Sequence, residues 1–128
     1  MVNMITLLVD EAYAFDYLSI LEVKKEKYSS NYKTWLNCSN HLQNQFESEK
    51  WLSIISSEEY KNMIKANLLT FEAVDKAKTN EVTAQYVDKC NYQRHIAKIN
   101  FQKKFFNTDL MESKIGYEKY IDNNHTAV

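Results

Sequence analysis

Apolar residues recur along most of the chain at the spacing of an α-helix. The longest series occupies one heptad position and comprises Ala14, Leu21, Tyr28, Trp35 and Leu42. This series crosses residues 29–31 without a change of phase. It therefore predicts one helix over residues 11–47 with a coiled-coil-like seam, with Asp10 as the N-cap. A break at residues 29–31 (Ser-Ser-Asn) is the alternative, because serine and asparagine favour helix caps over helix interiors.

A second amphipathic helix is predicted after residues 48–55, a short apolar segment that we interpret as a turn or a short helix. Ser56 and Glu59 have the spacing of a capping box, so this helix is expected to run from Ser56 to about residue 78. Its inward-facing residues are expected at Tyr60, Met63, Ile64, Leu68, Phe71 and Val74. Residues 5–9 (Ile-Thr-Leu-Leu-Val) are compatible with an extended lead-in or with a first helical turn, and five residues are too few for periodicity to decide.

The last long helix is predicted over residues 80–106, after a turn at Thr79 and Asn80. One apolar stripe of this helix contains Val82, Tyr86, Val87, Cys90, Ala97, Phe101 and Phe105. Tyr92, Ile96 and Ile99 form a second stripe on its other side. A helix with two apolar stripes is either buried broadly or contacts a second subunit, so self-association as a homodimer is expected.

The composition indicates an all-α fold. The chain has no proline and a single glycine, Gly116, whereas average usage would give roughly nine glycines and six prolines. Tight β-turns use both residue types, so their scarcity favours long helices. We expect one helical-bundle domain over residues 1–117, with a long first helix packed on an antiparallel helical hairpin. A short helix from Asp109 to Gly116 would complete the domain, and residues 118–128 would form a polar, frayed tail.

Charge and cysteine content narrow the possible partners and compartment. A formal net charge of −1 argues against a dedicated nucleic-acid binder. No run of about twenty apolar residues is present, so no membrane span is expected. Two cysteines and no recognisable signal peptide fit a reducing, cytoplasmic location. The abundance of lysine, asparagine, tyrosine and isoleucine suggests an AT-rich bacterial or phage genome.

Arg94, the only arginine, lies in the middle of an apolar stripe of the last long helix. If the antiparallel hairpin turns near residues 79–80, Asn67 lies level with Asn91 and Arg94. The candidate acidic partners of the guanidinium are Asp16, Glu72 and Asp75, and Asp75 is the better choice from the preceding helix. This polar layer is interpreted as structural, because an unpaired buried charge costs several kcal/mol. An anion site that clamps a carboxylate or phosphate is the alternative.

Other chemistry-bearing residues give weaker signals. Lys24 falls on the heptad face of the first helix and is included in the candidate polar core or anion site, although lysine there usually extends to solvent. Cys38 and His41 have the spacing of half a zinc site, but no second pair completes it, so no metal and no cofactor are expected. With one glycine, a Gly-rich phosphate loop is excluded. No catalytic residue is assigned.

Four segments resemble one family of small bacterial and phage helical proteins, for which we know no activity. Residues 16–24 (DYLSILEVK) resemble the family's DKLSILEIK opening, and residues 67–75 (NLLTFEAVD) are similar to NxxLWEIED. Residues 86–100 resemble YxxNDxRxxIKxxIN, and residues 109–112 and 114–117 resemble its ELIEEKSY tail. Tyr17 and Tyr92 stand where the family has lysine and aspartate, and Phe71 replaces a tryptophan. The resemblance implies a helical fold and offers no activity.

These observations leave two functional hypotheses. The first is a non-enzymatic helical interaction or assembly module that forms a homodimer through the second stripe of the last long helix. The second is a small helical-bundle enzyme or ligand binder, in which Arg94, Asn91, Asn67 and an acidic partner line a pocket for a small anionic ligand. Whether Arg94 has a partner within the protein would distinguish them.

Overall fold

The computed structural model describes residues 5–109, and every regular element in that range is helical. The elements are α1 (Glu11–Lys27), a 3-10 turn (Ser29–Asn31), α2 (Tyr32–Gln43), α3 (Ser48–Ile55), α4 (Glu58–Lys78) and α5 (Ala84–Phe105). Helices α4 and α5 form a hairpin with the most extensive contact in the fold, and α1 packs against both. The predicted all-α helical bundle is confirmed.

The first helix is broken, so the prediction of one helix over residues 11–47 is wrong. Tyr28 has an extended backbone (φ −137°, ψ 112°) and ends α1, and the 3-10 turn then redirects the chain into α2. Trp35 Nε1 donates a 2.8 Å hydrogen bond to Glu22 Oε1. In a continuous helix these residues would be roughly 20 Å apart. The bond therefore requires α2 to fold back on α1.

The helix caps follow local sequence signals. Asp10 Oδ1 accepts a 2.7 Å hydrogen bond from the Tyr13 backbone N–H, which confirms the predicted N-cap of α1. The N-cap of α4 is Ser57 rather than Ser56: Ser57 Oγ accepts from the Tyr60 N–H at 3.0 Å. Ser56 instead ends α3 and donates to the Leu52 carbonyl. The predicted capping box is therefore wrong: the N-cap lies one residue later, and Tyr60 at the third helical position has no carboxylate or amide to complete a box.

The hairpin turn lies where it was predicted, but α5 begins later than expected. Asn80 adopts a left-handed conformation (φ 61°), which asparagine tolerates better than most residues. Thr83 then caps α5 by accepting a hydrogen bond from the Tyr86 N–H at 3.1 Å. The α-helix consequently starts at Ala84 rather than at residue 80.

Phe15 of α1 is at the centre of the apolar core. Its ring centroid lies 5.1 Å from that of Phe101, 5.9 Å from that of Trp51 and 6.2 Å from that of Tyr60. Helices α1, α3, α4 and α5 thus meet around a single fully buried side chain. Such aromatic clusters combine large buried areas with favourable ring geometries.

The inward face of α4 differs from the predicted apolar stripe. Its buried residues are Tyr60, Met63, Asn67, Thr70 and Ala73, whereas Leu68 and Val74 are exposed. Asn67, which shares the helical spacing of the predicted stripe, is buried, and Thr70 is a second polar residue at an inward position. The difference therefore concerns Leu68 and Val74, which were predicted to face inward and instead lie on the surface.

Helix α5 is buried more broadly than a single stripe allows. Tyr92 and Ile96 of the second stripe are buried within the single chain, and Ile99 is partly buried. Tyr86, which was predicted to be inward-facing, is exposed. The second stripe of α5 is therefore largely covered within one chain, and it does not offer the exposed surface that was predicted as the homodimer interface.

The first described residues, 5–9, have no regular secondary structure and are exposed, so they do not form a first turn of α1. Apart from Asp109, the predicted C-terminal helix and the polar tail lie outside the described residues. Within residues 5–109, the helices are all too short or too polar to cross a membrane.

Candidate functional site

Arg94 is held by two acceptors, one from another helix and one from its own. Its Nη2 lies 3.1 Å from Asp16 Oδ2 of α1, in a hydrogen-bonded ion pair. Its Nη1 donates to Asn91 Oδ1 at 3.3 Å, one turn earlier in α5. A carboxylate and a guanidinium form stronger hydrogen bonds than neutral groups do, so this pair links α1 to α5.

Asn67 of α4 completes the connection between three helices. Its Nδ2 donates to Asp16 Oδ1 at 3.0 Å and to Ser19 Oγ at 2.7 Å. Ser19 Oγ in turn donates to the Asp16 backbone carbonyl at 2.7 Å. The two carboxylate oxygens of Asp16 therefore serve different helices, one α4 and the other α5. We refer to Asp16, Ser19, Asn67, Asn91 and Arg94 as the polar layer.

Burial and charge balance favour a structural role for the polar layer. Asp16, Ser19 and Asn67 are buried, whereas the side chain of Arg94 retains 25% of its exposure. The single positive charge lies against the single negative charge, so the layer is neutral. A slip of any helix by one turn, about 5.4 Å, would separate these groups. A buried asparagine that fixes helix register is a well-attested arrangement.

Two atoms of the polar layer have no hydrogen-bond partner among the described residues. They are Arg94 Nε and Asn67 Oδ1, and both are buried. Buried polar atoms are nearly always paired with protein or with ordered water. Hydrogen bonding in the polar layer is therefore incomplete at these two atoms, which belong to the two residues that bind the Asp16 carboxylate.

Three residues named from the sequence lie elsewhere. Asp75, the candidate partner preferred from α4, is exposed and lies 3.6 Å from Lys78. Glu72 is also exposed, and Lys24 is exposed in the last turn of α1. Of the three candidate partners, Asp16 is the one that pairs with Arg94, because α1 rather than the outer side of α4 faces the guanidinium. The structure thus brings together Asp16, Asn67, Asn91 and Arg94 and leaves out Asp75 and Lys24.

Tyr60 lies in the buried region between the polar layer and α2. Burial raises the pKa of its phenol well above the usual value, and the nearby acidic groups of Glu22, Cys38 and Asp16 raise it further. Its hydroxyl is buried and has no hydrogen-bond partner among the described residues. The phenol therefore stays protonated at any physiological pH.

Gln102 of α5 is a second buried polar connection, and no pattern in the sequence predicted it. Its Oε1 accepts from the Ala12 backbone N–H at 2.7 Å. Its Nε2 donates to Glu11 Oε1 at 2.8 Å and to the Asn107 carbonyl at 2.6 Å. Gln102 thus satisfies a free N–H of the first turn of α1. A glutamine in a polar run of α5 carries no sequence signal for this role.

Metal-ligating and nucleophilic side chains can be assessed within the described residues. Between residues 5 and 109, no group of three or more His, Cys, Asp or Glu side chains is positioned to hold a metal ion. Burial raises the pKa of the Cys38 thiol, which disfavours the nucleophilic thiolate. The pKa of the Tyr86 phenol is also raised, mainly by a hydrogen bond with the Cys90 side chain.

These features define a small all-α bundle whose buried ion pair and amides connect α1, α4 and α5. Comparisons with known protein families, with curated proteins and with solved structures found no match. The resemblance to the bacterial and phage family therefore stays a prediction, and the functional argument rests on the chain itself.

Proposed function

We propose that this protein is a non-enzymatic helical interaction module that self-associates as a homodimer. The observation that carries the proposal is the apolar run formed by residues 5–9. Ile5 is 90% exposed and Leu8 is 95% exposed, and Leu7 and Val9 are exposed as well. Runs of consecutive exposed apolar residues are uncommon on soluble domains and usually mark an interaction site.

Helix α1 carries further exposed apolar surface close in sequence to the run. Tyr13 and Tyr17, four residues apart on the same face of α1, are each nearly half exposed. The backbone groups of residues 5–9 have no hydrogen-bond partner among the described residues. A partner that covers the run could gain both apolar burial and backbone hydrogen bonds.

The polar layer also supports the proposal, because its contacts argue against an anion site at Arg94. Both Nη groups of Arg94 are already bound to acceptors of the protein, Asp16 and Asn91. An incoming anion would have to displace the Asp16 carboxylate, which belongs to the same chain and is held beside Arg94 by the packing of α1. The candidate site is therefore better explained by fold stability than by ligand binding.

We also propose a reducing, cytoplasmic location and a bacterial or phage origin. The location is supported by the two cysteines, Cys38 and Cys90, which are both free thiols. The origin rests on the AT-rich composition and on the resemblance described above.

Light scattering on the purified protein tests self-association. The wild type is expected to show the mass of a dimer, and Leu7→Lys/Leu8→Lys is expected to be monomeric, because two charges would be placed in the interface. The matched control is Leu52→Lys/Leu68→Lys, which adds the same charge at exposed leucines of α3 and α4 and should stay dimeric. A wild type that remains monomeric over a wide range of concentrations contradicts the proposal.

A second candidate is a binding site for a small anion at Arg94. Its support is the partial exposure of the Arg94 side chain and the Nε atom that lacks a partner among the described residues. Titration of inorganic phosphate, followed by NMR of the Arg94 Nε–H resonance, tests it. A saturable shift that disappears in Arg94→Leu supports this candidate, and an unchanged resonance excludes it.

A further inference from the structure

We infer that residues 5–9 of one copy lie in the groove between α4 and α5 of a second copy, in a reciprocal exchange between the two chains. This inference rests on the proposed self-association and names the surface that receives the apolar run. Reciprocal exchange closes the assembly at two chains, as in most symmetric homo-oligomers.

The groove lies between the two helices of the hairpin. It has a volume of about 350 Å³, and α4 and α5 contribute all of its described lining residues. Ala66 and Ala97 form a floor of small side chains, and Leu69 extends the apolar surface. Cavities of this size lie at the lower end of those that bind ligands, and they suit a few side chains of a peptide.

The dimensions of the groove match those of the run. From Glu59 to Leu69, the lining residues of α4 extend over roughly 15 Å, at 1.5 Å per residue. Five residues in an extended conformation span roughly 17 Å. The run can therefore lie along the full length of the groove without a bend.

The chemical groups of the two surfaces are complementary. The run offers apolar side chains and backbone N–H and C=O groups that have no partner among the described residues. The groove offers an apolar floor and the exposed amides of Asn62, Gln93 and Asn100. Amide side chains both donate and accept, so they can pair with an extended backbone on both sides.

Charge gives the docked run a direction. The run carries no charge and is followed by Asp10 and Glu11. The groove contains one acidic residue, Glu59, and one basic residue, Lys65. A run that begins beside Glu59 and ends beside Leu69 places Asp10 and Glu11 roughly 6 Å along the helix from Lys65 and roughly 15 Å from Glu59, so its acidic end lies closer to the lysine than to the glutamate.

The run does not reach the groove of its own chain. Helix α1 packs on the face of α4 that carries Tyr60 and Asn67. In the groove, Asn62 follows Tyr60 by two positions, and Leu69 follows Asn67 by two positions. Two positions correspond to about 200° around an α-helix. The groove thus faces away from α1. Because a helix is about 10–12 Å wide, crossing it would use most of the length of the run.

A complementation experiment tests the exchange. Chain one carries Leu7→Lys/Leu8→Lys and has a defective run with an intact groove. Chain two carries Leu69→Lys and has an intact run with a defective groove. Leu69 is 44% exposed, so the substitution is compatible with folding, and Asn62→Glu serves as a second groove variant. The matched control is Leu68→Lys, at a neighbouring leucine that is 37% exposed and does not line the groove.

Each defective chain alone is expected to be monomeric, and Leu68→Lys is expected to dimerise like the wild type. When the two defective chains are mixed, one intact run meets one intact groove. Sedimentation of the mixture, with one chain fluorescently labelled, should show heterodimers that are at least about tenfold tighter than either homodimer.

The outcomes separate this inference from the proposed function. If both groove variants dimerise as tightly as the wild type, or if the mixture stays monomeric, the exchange is overturned while the homodimer itself stands. A monomeric wild type overturns the homodimer and the exchange together.

Discussion

The polar layer and the apolar run are opposite exceptions to the usual distribution of residues in a globular protein. In the polar layer, an aspartate, a serine and an asparagine are buried between helices. In the apolar run, isoleucine, leucine and valine side chains are exposed ahead of α1. Either arrangement costs free energy unless a partner compensates for it.

The two regions differ in where that partner is found. Both oxygens of Asp16 bind groups of the same chain, on Asn67 and Arg94. The backbone of residues 5–9 has no hydrogen-bond partner among the described residues, and the side chains of Ile5, Leu7 and Leu8 are each more than 70% exposed. A buried polar group with internal partners explains how the helices align, whereas an exposed apolar segment without them points to a second molecule.

Asp16→Ala is expected to be the most destabilising change in the polar layer. It removes the acceptor of both Asn67 and Arg94 and leaves a partly buried cation without its counter-ion. Breaking a buried ion pair in this way costs about 3–5 kcal/mol of unfolding free energy. Urea unfolding followed by circular dichroism measures the loss.

The matched control for this change is Asp75→Ala, at the exposed carboxylate 3.6 Å from Lys78. It is expected to change the unfolding free energy by less than about 0.5 kcal/mol, as is usual for an exposed pair. Equal losses for the two variants would mean that the polar layer does not hold the helices together.

Arg94→Ala is expected to destabilise the protein more than Arg94→Leu does. Alanine removes the ion pair and also leaves a cavity, whereas leucine fills most of the volume with apolar atoms. Because the side chain is one quarter exposed, the loss for alanine is expected near 2–3 kcal/mol, with leucine about 1 kcal/mol better. Thermal melts of both variants rank them. The reverse order, or an unchanged Arg94→Ala, would remove the case for a structural arginine.

Tyr60→Phe is expected to have a small effect at neutral pH and a visible one at alkaline pH. The hydroxyl has no partner among the described residues, so its loss should change the unfolding free energy by no more than about 1 kcal/mol at pH 7. Because the pKa of Tyr60 is raised in the folded state, the unfolded chain ionises first, above a pKa of about 10. The wild type therefore loses stability as pH rises above about 10, and Tyr60→Phe should lose less.

Denaturant unfolding over a series of alkaline pH values measures this difference. Tyr28→Phe is the control, because its ring is exposed, and its pH profile is expected to follow the wild type. Parallel profiles for the wild type and Tyr60→Phe would show that this phenol does not couple folding to pH.

Much of the fold was predictable because the relevant signals are local. The scarcity of glycine and proline indicated helices, and Asp10 and the apolar residues 48–55 marked a cap and a short helix that the structure confirms. The preferred prediction of an unbroken helix across residues 29–31 was wrong for a physical reason. Helix α2 folds back onto the same core as α1, so Trp35, Cys38 and Leu42 keep the helical spacing that a continuous helix would have.

The polar layer was predictable only in part, because it depends on which helices face each other. The hairpin turn near residues 79–80 correctly placed Asn67 level with Asn91 and Arg94. Asp16 was one of the candidate partners of Arg94, but the sequence could not rank it above Asp75, because the rotation of α4 and the position of α1 are tertiary features. Ser19 and Gln102 gave no signal, since a polar residue at an inward helical position is recognised only once its partner is known.

The smallest expected effect concerns the apolar run and is measured in the unfolding of the monomer. Leu7→Lys/Leu8→Lys should change the unfolding free energy of the isolated chain by less than about 0.5 kcal/mol, because both side chains are already exposed. In a dimer the same change matters, because dissociation makes the melting temperature depend on protein concentration. The wild type is expected to melt at higher temperature as concentration rises, and the variant at one temperature throughout. A loss above about 1 kcal/mol at concentrations where the wild type is monomeric would mean that the run packs against its own chain, and the contrast with the polar layer would disappear.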